Sequence, residues 1–276
     1  MNHTEGMFQG VGGLQLYYQS WQPDETPVAV VVIVHGIGDH GGRYMNLVMP
    51  LLGDGYAVYA LDQRGHGRSS GKRGYINNWA EFRGDVGAFL HLIGRQQPEA
   101  PLILFGHSMG GLVALDYGLH HPDGLSGLIA SAPALGTSGV PPVLLVLARL
   151  LSRIWPTLSL NPGLDINGIS RDPEVVRASQ ADPLVHRKGT PRLATEVTRI
   201  IDLVHANAAD FRLPLLVYHG SADRLTPPAA SRAFFDQVPI SDKKYITYEG
   251  GYHESHNDLH HAQTVADVAA WLNEHR

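Results

Sequence analysis

One stretch narrows the folds open to this chain more than any other. Pro101-Leu102-Ile103-Leu104-Phe105 is an apolar run, Gly106-His107-Ser108-Met109-Gly110-Gly111 follows at once, and Leu112-Val113-Ala114-Leu115-Asp116-Tyr117 continues without Gly or Pro. A buried strand, a Gly-x-Ser-x-Gly turn and a helix in direct succession are the context that a nucleophile elbow requires. Gly106 and Gly110 have a steric reason to be glycine, because strand and helix meet too closely there for a Cβ. Such a turn holds the Ser108 hydroxyl above the carboxyl ends of a parallel sheet. The start of the next helix offers backbone N–H groups to a developing negative charge.

The motif letters alone are weak: a chain of this length with 31 glycines spells them about 0.2 times by chance. A second copy, Gly67-Arg68-Ser69-Ser70-Gly71, is present. It follows the run 56–61 only after a polar loop, and Lys72-Arg73-Gly74-Tyr75 after it is no apolar helix. We therefore read Ser69 as a loop residue and Ser108 as the candidate nucleophile.

The rest of the chain supplies a sheet for the elbow to sit on. Residues 14–21 alternate, as a strand with one wet face does. Residues 28–34 (VAVVVIV), 56–61, 101–105, 125–130, 213–219 and 243–248 read as further strands, several of them buried on both faces. Helices are expected over 43–52, 79–97, 112–121, 231–238 and 260–275. On the second, Phe82, Val86, Phe89, Leu90 and Ile93 form the apolar stripe, with Glu81, Arg83, Asp85 and Arg95 opposite. Asp62 and Arg64 are expected to fix the polar loop next to the elbow. Strands alternating with helices imply a mostly parallel sheet covered on both faces.

The rhythm breaks over residues 135–211, where Pro141, Pro142, Pro156, Pro162, Pro173, Pro183 and Pro191 leave short helical pieces. We read 1–134 and 212–276 as the core and 135–211 as a helical cap inserted into it. Val143 to Trp155 is almost wholly apolar, with Arg149 and Arg153 on one stripe. It is either a helix packed on the core, or a lid whose apolar face lines an acyl tunnel or touches lipid.

A serine nucleophile needs a neutral imidazole as base and an acid to fix that ring. On folds built around such an elbow the order is Ser, then Asp or Glu, then His. Asp223 follows the strand 213–219 and His253 follows the strand 243–248, so both lie at the rim where Ser108 is expected. Asp182, Asp202 and Asp210 lack a preceding strand, and Asp242 is at the wrong end of its own. His256 and His260 lie further on, and His219 precedes the acid. Asp223 could also serve only as an Asx-turn residue beside Pro227-Pro228. The Gly-rich loop His35-Gly36-Ile37-Gly38-Asp39-His40 closes a buried strand, and we expect the oxyanion donors to be the backbone N–H groups of Ile37 and Met109.

Composition removes other chemistries. A net charge of -5 and no basic footprint argue against nucleic acid. The absence of cysteine rules out disulfides, thiolate metal sites and a Cys nucleophile, and leaves the compartment open. The sixteen histidines show no zincin spacing, and no metal or cofactor is expected. With no leader-like start and no apolar run of about 20 residues, the expectation is a soluble cytoplasmic protein.

His35-Gly36-Ile37-Gly38-Asp39-His40, Gly65-His66-Gly67-Arg68-Ser69, Gly106-His107-Ser108-Met109-Gly110-Gly111, Gly220-Ser221-Ala222-Asp223-Arg224-Leu225 and Tyr248-Glu249-Gly250-Gly251-Tyr252-His253 resemble the monoacylglycerol lipases, of the lysophospholipase-like α/β-hydrolases. The resemblance runs from about Gly12 to the end and is weakest in the cap. It implies the α/β-hydrolase fold: a mostly parallel central sheet flanked by helices, with a short helical cap after the sixth strand. It implies Ser108, Asp223 and His253 as nucleophile, acid and base, with Ile37 and Met109 as the backbone donors. It implies cleavage of a glycerol ester bearing one acyl chain, without a metal or cofactor; transient contact of the cap with a membrane or micelle surface is the expectation from the apolar stretch Val143 to Trp155. The absence of cysteine departs from family members that carry some near the pocket. A small-ester carboxylesterase and a lysophospholipase stay open, as do haloperoxidase and C–C hydrolase chemistry and a non-catalytic ligand-binding protein. Dehalogenases and epoxide hydrolases place Asp at the elbow, so Ser108 disfavours them.

Overall fold

The computed structural model of the protein describes residues 2–137 and 142–276. Pro141, one of the expected breaks in the inserted segment, lies outside them. Eight strands form one sheet: β1 (Asn2–Gln9), β2 (Gln15–Gln22), β3 (Val30–Val34), β4 (Ala57–Leu61), β5 (Leu102–His107), β6 (Gly127–Ser131), β7 (Leu215–Gly220) and β8 (Lys243–Tyr248). Their order across the sheet is β1-β2-β4-β3-β5-β6-β7-β8. The hairpin β1–β2 and the pair β2–β4 are antiparallel, and every pairing from β4 to β8 is parallel.

Helices cover both faces, as the β-branched runs require. Val30, Val32 and Val34 point to one face, against α2 (Ala80–Gln96), α3 (Met109–His120), α6 (Pro191–Ala206) and α7 (Pro228–Gln237). Val31 and Ile33 point to the other, against α1 (Met45–Gly53) and α8 (His261–Glu274). Each such fully buried side chain contributes about 1.5–3 kcal/mol.

Two expectations need correction. Residues 2–9 form a strand that the sequence pattern did not reveal, bringing the strands before the insertion to six. Asp85 does not lie on a wet face of α2. It is buried, and both its oxygens accept from the Arg64 guanidinium, at 2.6 and 2.8 Å. Arg64 thus ties its loop to α2, and Asp62 fixes the same loop by accepting from the N–H groups of Gly41 and Arg68 at 2.8 Å each.

Between β6 and β7 run α4 (Pro142–Ile154), α5 (Pro173–Ala181) and α6. Leu193, Ile200 and Val204 of α6 join the main core. Most of α4 does not: Val143 is 69% exposed, Ile154 71% and the following Trp155 58%. No helix among the described residues is long and apolar enough to cross a membrane.

Candidate active site

The elbow is as tight as its glycines imply. Ser108 sits at φ 55°, ψ -121°, a backbone conformation that an L-residue adopts only under constraint. Its N–H donates to Ser131 O at 2.9 Å, and its carbonyl accepts from Leu112 and Ala134 N–H. A Cβ on Gly106 would lie 2.3 Å from Gly110 O, and one on Gly110 would lie 2.1 Å from Val34 O. Ser108 is 8% exposed, at the rim of the buried sheet. The decoy Ser69 is a structural residue: its hydroxyl accepts from Tyr17 N–H at 2.7 Å and donates to Asp62 O.

The parallel register brings the carboxyl ends of β5, β7 and β8 to the same rim. His253 Nδ1–H donates to Asp223 Oδ2 at 2.7 Å. The ring of His107, next to Ser108, lies against the ring of His253 with centroids 4.6 Å apart, so elbow and histidine loop meet. Asp223 also makes the Asx turn that was its simpler reading, but with its other oxygen: Oδ1 accepts from Leu225 and Thr226 N–H at 2.7 and 3.1 Å. Gly220, closing β7, admits the histidine loop, since a Cβ there would meet Gly251 O at 2.3 Å.

Burial opposes charge on both partners, and their pairing overcomes it. Desolvation alone would depress the His253 imidazole, yet the Asp223 carboxylate against it holds it above the ordinary histidine value. Desolvation would raise Asp223, yet the His253 ring and the hydrogen bonds from His219 and His253 hold it well below the ordinary carboxylate range. Their neighbours His107 and His256 are pushed down by burial, His256 to about 4, so they stay neutral beside the pair.

The loop after β3 lies directly against the nucleophile. A Cβ on Gly36 would touch Ser108 Cβ at 3.2 Å. His35 pins the loop, its Nδ1 donating to Gly36 O at 2.7 Å while its Nε2 accepts from Gln63 N–H at 2.9 Å. Ile37 stands at that turn. Met109 opens α3, where first-turn N–H groups have no intrahelical acceptor. The chain between β6 and β7 packs on this loop: His186 N–H donates to Gly38 O at 2.9 Å, and His40 Nε2 meets Asp182 at 2.9 Å.

The remaining candidates lie elsewhere. Asp210 is exposed beside Arg212, Asp202 is exposed on α6, and Asp242 pairs with His275. The His256 ring stacks on Tyr44, and His260 meets Arg171. A cavity of about 510 Å³ lined by Arg171, Arg177, Arg224 and Tyr252 borders the loops after β7 and β8 without including Ser108, Asp223 or His253. Sequence reasoning did not single out Arg43, which spans Asp39 of the loop after β3 and Glu254 beside His253, each at 3.0 Å. Glu254 directly after a candidate base was the available signal. Nor did it give a role to Thr226, whose hydroxyl donates to Asp223 Oδ2 at 2.8 Å.

Known proteins with the same plan bear out the resemblance. Residues 25–260 match the family described as serine aminopeptidase, S33. The monoacylglycerol lipase of Mycolicibacterium smegmatis is 39% identical over 274 residues, 99% of this chain and 98% of that one. Phospholipase YtpA of Bacillus subtilis is 33% identical, over 87% of this chain and 92% of that one. The crystal structure of the Paleococcus ferrophilus monoacylglycerol lipase shares the α/β-hydrolase fold with a TM-score of 0.88 at 36% identity, over 95% of this chain and 99% of that one. With most of its length matched and a full-length relative so similar, the chain belongs to the serine aminopeptidase S33 family of α/β-hydrolases.

Proposed function

We propose that the protein is a serine ester hydrolase that cleaves monoacylglycerols to glycerol and a fatty acid. The observation that carries this reading is the Asp223–His253 pair, 2.7 Å apart, at the rim where the constrained Ser108 turn ends β5. Asp223 fixes the tautomer with the proton on Nδ1, leaving Nε2 of His253 as base. His253 takes the Ser108 proton as the hydroxyl oxygen attacks the acyl carbonyl. The N–H groups of Ile37 and Met109 hold the oxyanion, each donor being worth about 2.7–4 kcal/mol. His253 protonates the departing glycerol oxygen, and water then releases the fatty acid by the same steps. The base must start neutral, so activity falls below the pH at which His253 takes a proton.

The substrate class follows from the similarity to two monoacylglycerol lipases and from the apolar face of α4. We read residues 135–211 as a cap and α4 as its lipid-facing element, with Val146, Leu147 and Leu150 entering a membrane or micelle surface and the exposed Arg149 and Arg153 at headgroup level. Those two arginines, with the similarity to a phospholipase, favour lysophospholipids as a second substrate. Initial rates on a monoacylglycerol, a triacylglycerol and a lysophospholipid test the reading. The monoacylglycerol should be fastest, and Ser108→Ala should abolish all three. Preference for the triacylglycerol would overturn the substrate assignment, and turnover by Ser108→Ala would overturn the mechanism.

A further inference from the structure

His219, the penultimate residue of β7, is fully buried, and its Nε2 lies 2.9 Å from Asp223 Oδ2, the oxygen that also serves His253. We propose that His219 is a positioning residue that acts through Asp223, setting the strength with which the acid holds His253; this rests on the proposed roles of Asp223 and His253.

The hydrogen bonds fix how it would act. An ionised carboxylate oxygen only accepts, so Nε2 of His219 carries the proton. On the other side of the ring, Nδ1 lies 2.8 Å from Ser231 Oγ, and Ser231 Oγ lies 2.8 Å from Tyr245 OH. Ser231 Oγ has a second acceptor, Pro228 O, at 2.9 Å; with its proton turned to His219, the donors line up from Tyr245 to Ser231, Ser231 to His219 and His219 to Asp223. It crosses from β8 through α7 to β7 and ends on the acid. Asp223 Oδ2 thus takes two imidazole N–H donors, with the Thr226 hydroxyl as a third. Donors that share an acceptor compete for its charge. With His219 in place, the carboxylate is a weaker partner for His253, and a His253 that must give its proton back to the leaving alcohol is not over-stabilised in its charged form.

The sign of the consequence is set whichever charge His219 carries. Removing its N–H returns electron density to Asp223, so the His253 imidazolium becomes more stable and the acidic limb of kcat/KM moves to higher pH. The other titratable and charged groups acting on His253 are His107 of β5, His256 and Glu254 of its own loop, and Asp39 of the loop after β3, which Arg43 neutralises in part. All of them are untouched by a change at 219. Tyr245 is the titratable group behind Ser231.

Three variants separate a positioning role from packing. In His219→Asn the amide occupies the place of Nδ1 and keeps Ser231 but no longer reaches Asp223. His219→Leu removes both contacts. In His219→Gln the amide N–H occupies the place of Nε2 and keeps Asp223. Profiles of kcat/KM against pH are measured on a soluble p-nitrophenyl ester, per mole of enzyme labelled by a fluorophosphonate. Asn and Leu should lower the plateau roughly tenfold, the size of one hydrogen bond to a charged group, and raise the acidic limb by roughly half a unit. Gln should restore the wild-type limb. Either Asn or Leu suffices if the other does not fold. An unmoved limb in the folded variants, or Gln shifting like Asn, overturns the role of His219. Loss of activity in Ser108→Ala alongside an unmoved limb would leave the hydrolase reading standing, whereas turnover by Ser108→Ala would remove both.

Discussion

Asp223 gathers five donors on two oxygens: Leu225 and Thr226 N–H on Oδ1, and His219, His253 and the Thr226 hydroxyl on Oδ2. A carboxyl so held stays well below the ordinary carboxylate range. Asp223→Asn should lower kcat on the order of ten-thousand-fold with little loss of soluble protein, because the amide favours the wrong tautomer of His253; a loss below tenfold would remove Asp223 from the reaction. At the same scale, the raised His253 value predicts a pH profile whose acidic limb lies above the ordinary histidine value of about 6.5. A limb at pH 5 would mean that Asp223 does not stabilise the imidazolium. Chain order made both residues legible, because each directly follows a recognisable strand. His219 was legible only as a rival base. Its proposed role depends on Ser231 and Tyr245, which reach it through tertiary packing and leave no spacing to read.

At the scale of elements, the elbow and α4 make opposite demands. At the elbow, backbone meets backbone, and Gly110→Ala should destabilise the protein by about 3 kcal/mol, since the Cβ would meet Val34 O and His35 O. The readout is a lowered melting temperature or loss of soluble protein, and an unchanged melting temperature would refute the close packing. On α4 the apolar side chains face outward. Leu147→Glu with Leu150→Glu should leave hydrolysis of a soluble p-nitrophenyl ester within about twofold while lowering the rate on micellar monoacylglycerol about tenfold or more, the cost of losing one or two buried leucines. Equal losses on both substrates would deny α4 a lipid-facing role. The strand runs and the elbow were readable because burial on both faces demands unbroken apolar sequence. Asn2–Gln9 was not, since it is an edge strand on which only Phe8 is buried, so no alternation marks it. Asp85 misled for a related reason. Its helical position looked polar and wet, while its partner Arg64 comes from a distant loop.

For the molecule as a whole, the buried and half-buried histidines set the response to acid. His35, His66, His107, His186, His256 and His260 are all depressed by burial, His186 and His256 to about 4. Below about pH 6.5 the unfolded chain binds protons that the folded chain refuses, so stability falls as pH drops through that window. His253, with its raised value, opposes this: its contribution is full at low pH and fades as pH rises through its folded value. One histidine against six leaves the net sign clear. The melting temperature should fall steadily from pH 7 to pH 5, and a flat or rising trend would contradict the burial of these rings. The central claim concerns one hydroxyl. Treating the protein with a fluorophosphonate and mapping the adduct by peptide mass spectrometry should place a single modification on Ser108, with none on Ser69, whereas an unmodified Ser108 peptide or an adduct on another serine would contradict the account.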